Sequence, residues 1–438
     1  MKNDKSRVEI HLPLEIIQLI QSFLSGEAAA QTTVLSKLWH RAWSTRPNLD
    51  FDQINFPISK NTFNHTFSEL TKKTMQRYED LNLKVETLRL IMSCIEDPNI
   101  KVSLANELIA RVMKLGVVDL NLDLSSGISD PCCLLTDEVL GSQTLTRLSL
   151  SGCFTIDLRL TNTYSNIKSL VLRHLVTVKG DILRDFLSRF PLLEELRLSS
   201  LESIKLGQDS HSHRQHEFKK LEYLQIGCFD VKNIYFLSAG GAIYHCLKEL
   251  VVTDCSYGIV TRRICSPTLE LINICIGDGS IWYAYFDVPN IRTFEFEGCS
   301  LSRFRFKSNT STSRVWESIL RLTGPPSQPA ASWFLGFNKL VKTMLRARSR
   351  VSLHIYVFSR PDIYRYEGKK AHVESLTLAC SPTYFSDFLD TLLLMCRPKL
   401  LIVSCGEYLR KFLNEYVHRI VAHGLVQKVD FGSGLSSY

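Results

Sequence analysis

Leu145-Thr146-Arg147-Leu148-Ser149-Leu150 is apolar at its first, fourth and sixth positions, and the chain repeats that phrase over most of its length. Earlier copies are Val85-Glu86-Thr87-Leu88-Arg89-Leu90 and the weaker Val117-Val118-Asp119-Leu120-Asn121-Leu122. Later copies begin at Ile167, Leu193, Leu221, Leu247, Leu269, Ile291 and Val373. From Leu88 to Phe294 the central apolar residue returns after 32, 28, 22, 26, 28, 26, 22 and 22 residues. Alternation over so few residues predicts a short strand with one face turned to a core, and the spacing leaves room for a return segment beneath it. No unit of this size buries its own apolar face, so stability has to come from stacking neighbours.

The period falls close to that of a leucine-rich repeat. Residues interleaved with the apolar positions then belong to the opposite, concave face. The candidates for binding a substrate there are Arg147, Ser149, Arg173, Arg197, Tyr223, Gln225, Glu249, Asn273 and Glu295. Their mixed charge and few aromatics suit a protein or peptide partner, and nucleic acid, which is read by stacking on exposed rings, is not expected. Cys153, Cys255 and Cys299 each follow the last apolar strand position by three residues, a structural place for cysteine in this repeat class.

Between Phe296 and Val373 the phrase is lost. Residues 307–313 are rich in Ser, Thr and Asn, and Gly324-Pro325-Pro326-Ser327-Gln328-Pro329 is turn chemistry. Helical spacing predicts a helix over Trp333–Leu345, a strand follows at Ser352–Val357, and the remaining chain reads as a helix over Tyr384–Met395, a strand over Leu400–Val403, a helix over Glu407–Ala422 and a strand over Val426–Phe431.

The N-terminal stretch has a different period. Leu12-Pro13 places a proline where a helix can start. Ile16, Ile17, Ile20, Phe23 and Leu24 then recur at helical steps, with Gly26 placed to let the helix stop. A second set, Val34, Leu35, Leu38, Trp39, Ala42 and Trp43, repeats the pattern, with Ser36 as its cap. About forty residues in short helices cannot enclose a sizeable core, so a partner is expected to complete part of this apolar surface. The order LP-x-E-I-I, S-F-L-S, V-L-S-K-x-W-x-x-x-W, P-N-L-D-F resembles an F-box of the plant type. That resemblance implies docking of a Skp-type adaptor and through it a cullin, with Leu12, Pro13, Ile16, Ile17, Ile20, Phe23, Leu24, Val34, Leu35, Trp39 and Trp43 as the adaptor-binding residues. The link Ser25–Thr33 keeps Glu27 but lacks the proline that many relatives carry there.

Composition adds boundaries. The 438 residues are 45% hydrophobic and 22% charged, ordinary for a globular protein. No apolar run approaches the length of a membrane span, and Met1–Arg7 leads into an amphipathic helix rather than an apolar signal segment, so no membrane partner is expected. Thirteen scattered cysteines without C-x-x-C pairs fit reduced thiols in the cytoplasm or nucleus. From Leu301 onward there are 20 Lys and Arg against 9 Asp and Glu, so the net charge of +8 resides in the last third. Gly277-Asp278-Gly279 lacks the rest of a phosphate loop, and His211, His213 and His216 lack the further donors of a metal site. No nucleophile is placed beside a base, so no catalytic residue, metal or cofactor is called for.

Taken together the pattern resembles the plant F-box proteins with leucine-rich repeats. It implies an α/β fold, N-terminal F-box helices followed by a leucine-rich-repeat solenoid (horseshoe). The expected divisions are a disordered 1–8, an F-box over 9–56, a linking helical segment over 57–84, the solenoid over 85–300, a degenerate repeat with insertion over 301–350, and C-terminal repeats with a cap over 351–438. The implied function is that of a non-catalytic substrate-recognition subunit of a Skp-cullin-F-box ubiquitin ligase, with a protein substrate on the repeats. Two other readings are a binding scaffold not engaged with the ligase and a ligand-gated, hormone-receptor-like F-box protein. The second draws on the basic stretches Arg303–Lys307 and Arg346–Arg350.

Overall fold

The computed structural model describes residues 12–55, 63–92, 98–124, 133–134, 137–152, 154–157, 162–174, 177–179, 189–199, 220–227, 246–255, 259–277, 281–298, 302–307, 315–324, 330–357, 366–381, 383, 385–404, 418, 420–421, 424 and 426–432. They divide into two units, one made of Met1–Asp181, Asp185–Leu193 and Leu201–Ser203, the other of Ile182–Arg184, Glu194–Ser200 and Ile204–Tyr438. Residues 1–8, the His211–His216 cluster, Cys153 and Cys299 lie outside the described residues, as does most of the expected 407–422 helix.

The first unit starts with helices α1 (Leu14–Ser22), α2 (Gly26–Gln31) and α3 (Lys37–Ser44). Ser36 caps α3 as its sequence position suggests, its hydroxyl accepting from the Trp39 N–H at 3.3 Å. Gly26 does not end α1; it opens α2 behind the capping Ser25. A Cβ there would lie 3.1 Å from the Asp50 carbonyl oxygen, so the residue is small because the backbone passes close.

The strand Asn48–Asp52 follows, then Thr87–Ile91, Asp119–Leu124, Arg147–Gly152 and Ser169–Arg173, paired in parallel. Leu49, Leu88, Leu120, Leu148 and Leu170 form one buried row, one residue per strand. The sheet therefore begins inside the F-box-like block, about forty residues before the expected solenoid start at 85. Helices Phe63–Asp80 and Pro98–Lys114 supply two return segments. A second sheet of short parallel strands, Cys133–Leu134, Phe154–Asp157 and Thr177–Lys179, supplies others.

Among the described residues the second unit repeats the plan with ten strands, from Glu195–Ser199 to Lys428–Gly432. Its register carries one buried row through Leu198, Ile226, Val252, Ile274, Phe296, Leu320, Leu353, Leu376 and Leu401. The break expected after Phe296 does not occur, because Trp316–Thr323 pairs with Thr293–Gly298 and then with Ser349–Val357. The phrase is disguised by a serine at its central core position. Ser318 faces Phe294 across the ladder and is buried without penalty, its hydroxyl 2.9 Å from that of Ser349. The helices Ala330–Arg346 and Phe385–Met395 match the helical spacing of the sequence.

Another sheet, Ile259–Cys265, Ile281–Asp287 and Arg303–Phe306, lies in the return segments of this unit. Its inward residues Phe286, Phe304 and Phe306 meet Phe294 and Phe296 of the large sheet, with ring centroids 4.9–5.7 Å apart. Rings fill the gap between two sheets more fully than leucines, and they pack edge to face as their quadrupoles favour.

Candidate functional site

Helix α1 turns two side chains inward, Ile17 and, one turn later, Gln21. The Gln21 amide nitrogen donates to the Thr32 hydroxyl at 2.8 Å and to the Trp39 carbonyl at 3.2 Å, so a buried polar residue fastens α1 to the Thr32–Val34 turn and to α3. Gln18 reaches Thr45 in the same way, at 3.1 Å to its hydroxyl. This packing leaves most of the apolar surface of α1 outside: Leu19 is 52% exposed and Phe23 81%, while Val34 and Leu35 on the neighbouring turn reach 85% and 63%. Ile16, Ile20 and Leu24 are exposed too. Large apolar side chains so exposed on neighbouring segments mark an interaction surface, because covering the most exposed of them contributes up to about 1.5–3 kcal/mol each.

The structure sorts the expected docking residues into two groups. Pro13, Ile16, Ile20, Phe23, Leu24, Val34 and Leu35 are exposed, and Leu12 is half-buried. Ile17, 1% exposed, belongs to the core of the helical unit and is not free to meet a partner. Trp39 and Trp43 are half-buried, and Trp43 turns toward the Phe63–Asp80 helix, with the Arg77 guanidinium 5.8 Å from its ring centroid. Leu19 was missed by the sequence reading, although its place one turn before Phe23 signals the same face.

Behind these helices the packing is polar and tight. The Tyr78 hydroxyl, its pKa raised by burial, donates to the Arg46 carbonyl at 2.6 Å. Arg89 on the second strand grips Asp50 at 2.8 Å and Asp52 at 3.1 Å on the first. The helical block is thus joined to the sheet rather than strung before it.

The interleaved face of the sheet is a second candidate surface. In the second unit Arg197, Gln225, Val251, Asn273 and Glu295 fall in one row, one per strand. Parallel pairing sets about 4.8 Å between successive members. The row is wired together: Arg197 lies over the Tyr223 ring at 4.6 Å, the Tyr223 hydroxyl donates to Gln225 at 3.2 Å, and Glu295 accepts from Asn273 at 3.4 Å and from Arg321 at 3.0 Å. In the first unit Arg147 pairs with Asp119 at 2.7 Å, Ser149 is half-buried and Arg173 exposed, as is Glu249 in the second. Among the described residues no group of His, Cys, Asp and Glu is placed to hold a metal ion, and no helix is long and apolar enough to cross a membrane.

No family model matches the chain. Single relatives do. F-box/LRR-repeat protein At3g58930 of Arabidopsis thaliana is 28% identical over 287 residues, covering 62% of this chain and 56% of the relative. F-box/LRR-repeat protein At3g58940 of the same plant is 28% identical over 301 residues, 60% and 47% of the two chains. F-box protein At3g03040 is 27% identical over 202 residues, 44% and 40%. The matches span about half the length of these curated relatives. The resemblance to plant F-box proteins with leucine-rich repeats, first drawn from the order of residues 12–56 and the recurring strand phrase, is shared with them.

Proposed function

We propose that the chain is a non-catalytic substrate receptor of a Skp-cullin-F-box type ubiquitin ligase, acting in the cytoplasm or nucleus. Helices α1–α3 dock the Skp-type adaptor, and the interleaved face of the repeats holds a protein substrate. The observation that carries the reading is the exposed set Leu19, Ile20, Phe23, Leu24, Val34 and Leu35, set on a helical unit whose inward face is closed by Ile17 and Gln21. The F-box/LRR names of the Arabidopsis relatives support it. Receptor and adaptor accelerate transfer by holding the substrate at high effective concentration beside the conjugating enzyme, which requires no reactive side chain here.

The test is binding of a recombinant plant Skp-type adaptor to the full chain and to the double variant Phe23→Ala, Leu35→Ala. Both positions are exposed, so thermal melting stays unchanged while affinity falls about thirtyfold or more, a loss of ~2 kcal/mol. An unmodified chain that binds no adaptor, or a double variant that binds as well as the parent, rejects the reading.

A further inference from the structure

Two basic segments separated in sequence, the Arg303–Phe306 strand and the end of the Ala330–Arg346 helix, meet in one groove of about 690 Å³. One wall is the outward face of the smaller sheet, where Tyr283 stands opposite Arg303 and Tyr285 opposite Arg305. The other wall is a single helix face, since Lys339, Thr343 and Arg346 follow at steps of four and three. Four cations line the groove and no carboxylate does.

Arg292, Arg321 and Lys307 each hold a carboxylate, at 3.3, 3.0 and 2.8 Å. Among the described residues Arg303, Arg305, Lys339 and Arg346 form no ion pair. Asp287, the acid on the same sheet face as Tyr283 and Tyr285, is already held by Lys307. Arg303 lies over the Tyr283 ring at 5.5 Å. A guanidinium held against a ring without a carboxylate partner still offers its N–H donors, and their fork fits two phosphoryl oxygens at once. Like charges gathered around a concave site repel one another, and an anion removes that cost.

The geometry points to a binding site for a ligand carrying two or more phosphoryl groups, seated between the Arg303–Phe306 strand and the Ala330–Arg346 helix. One orthophosphate would leave most of the volume empty, whereas the groove is of the size that takes a whole small ligand or a short peptide segment. Arg303, Arg305, Lys339 and Arg346 hold the phosphoryl groups, and the Tyr283 ring supports Arg303. The site uses nothing from α1–α3, so it stands or falls separately from adaptor docking.

Calorimetry on the full chain tests it with tripolyphosphate, a nucleoside triphosphate and a doubly phosphorylated serine peptide as probes. Tripolyphosphate should bind at low salt and weaken at least about tenfold as salt is raised to about 0.3 M, where screening shortens to several ångströms. The variant Arg303→Gln, Arg346→Gln should lose that binding, whereas Arg348→Gln, Arg350→Gln, equal in charge removed but outside the groove, should bind within about twofold of the parent. The probe bound most tightly identifies the source of the phosphoryl groups. All four positions are exposed, and unchanged melting of both variants excludes unfolding as the cause. Equal weakening in the two variants would reduce the effect to net charge, and no binding of any probe at low salt overturns the site.

Discussion

His354 stands on the interleaved face beside Arg321, to which its position is paired across the ladder. Burial first, and the Arg321 charge second, hold its pKa below the ordinary histidine value, with Glu295 opposing them. The unfolded chain, whose histidines titrate near ~6.5, therefore binds the proton more readily than the folded one. Stability linked to this group is fully present above that pH and is lost as pH falls through 6.5 toward the lower folded value. Urea midpoints measured between about pH 7.5 and 5 should decline less in His354→Gln than in the parent; parallel declines would remove His354 as a source. Cys396 offers a second check. Burial pushes its thiol up to about 12, and Sγ lies 3.3 Å from the Leu392 carbonyl, to which it donates. Iodoacetamide at pH 8 should leave Cys396 unmodified in the native chain and label it in urea, as read by peptide mass spectrometry.

The strand Trp316–Thr323 shows why a repeat can hide from its own pattern. The phrase demands apolar side chains at three positions, yet packing demands only that a buried group be satisfied, and the Ser318–Ser349 pair meets that demand with a hydrogen bond. The register then makes opposite predictions for neighbours. Leu320 is fully buried, so Leu320→Ala should cost about 2–5 kcal/mol in urea unfolding. Ile319, half-exposed on the other face, should cost under about 1 kcal/mol when changed to Ala. Equal costs would mean the strand is slipped by one residue.

At the scale of the molecule, the helical block and the repeats are not separable modules. Asn48–Asp52 is the first strand of the first unit's sheet, tied to the second by Arg89 and to the Phe63–Asp80 helix through the Arg46 carbonyl. Deleting residues 1–56 therefore strips the sheet of a paired strand carrying the buried Leu49 and Phe51. The deleted chain should unfold at lower urea than the parent, whereas the Phe23→Ala, Leu35→Ala variant should match it. An unchanged midpoint after the deletion would restore the picture of a free-standing N-terminal domain. For substrate capture the double variant is consequently the cleaner control.

What the sequence by itself determined was direction: alternation forces side chains to opposite faces of a strand, and three- and four-residue steps gather them on one side of a helix. From that came the parallel repeat and the interleaved face, and the N-terminal helices came from their own helical spacing, because each follows from local backbone geometry. Only the tertiary structure decided which side of a helix is covered. The apolar stripe of α1 reads alike for Ile17 and Ile20, and it is the closure of α3 through Gln21 that buries the first and leaves the second outside. Proximity across long separations was equally beyond the sequence. Arg303 and Arg346 share a groove because a strand and a helix, joined through an intervening strand of the large sheet, pack side by side, and such meetings depend on the length and packing of return segments, which no local period encodes.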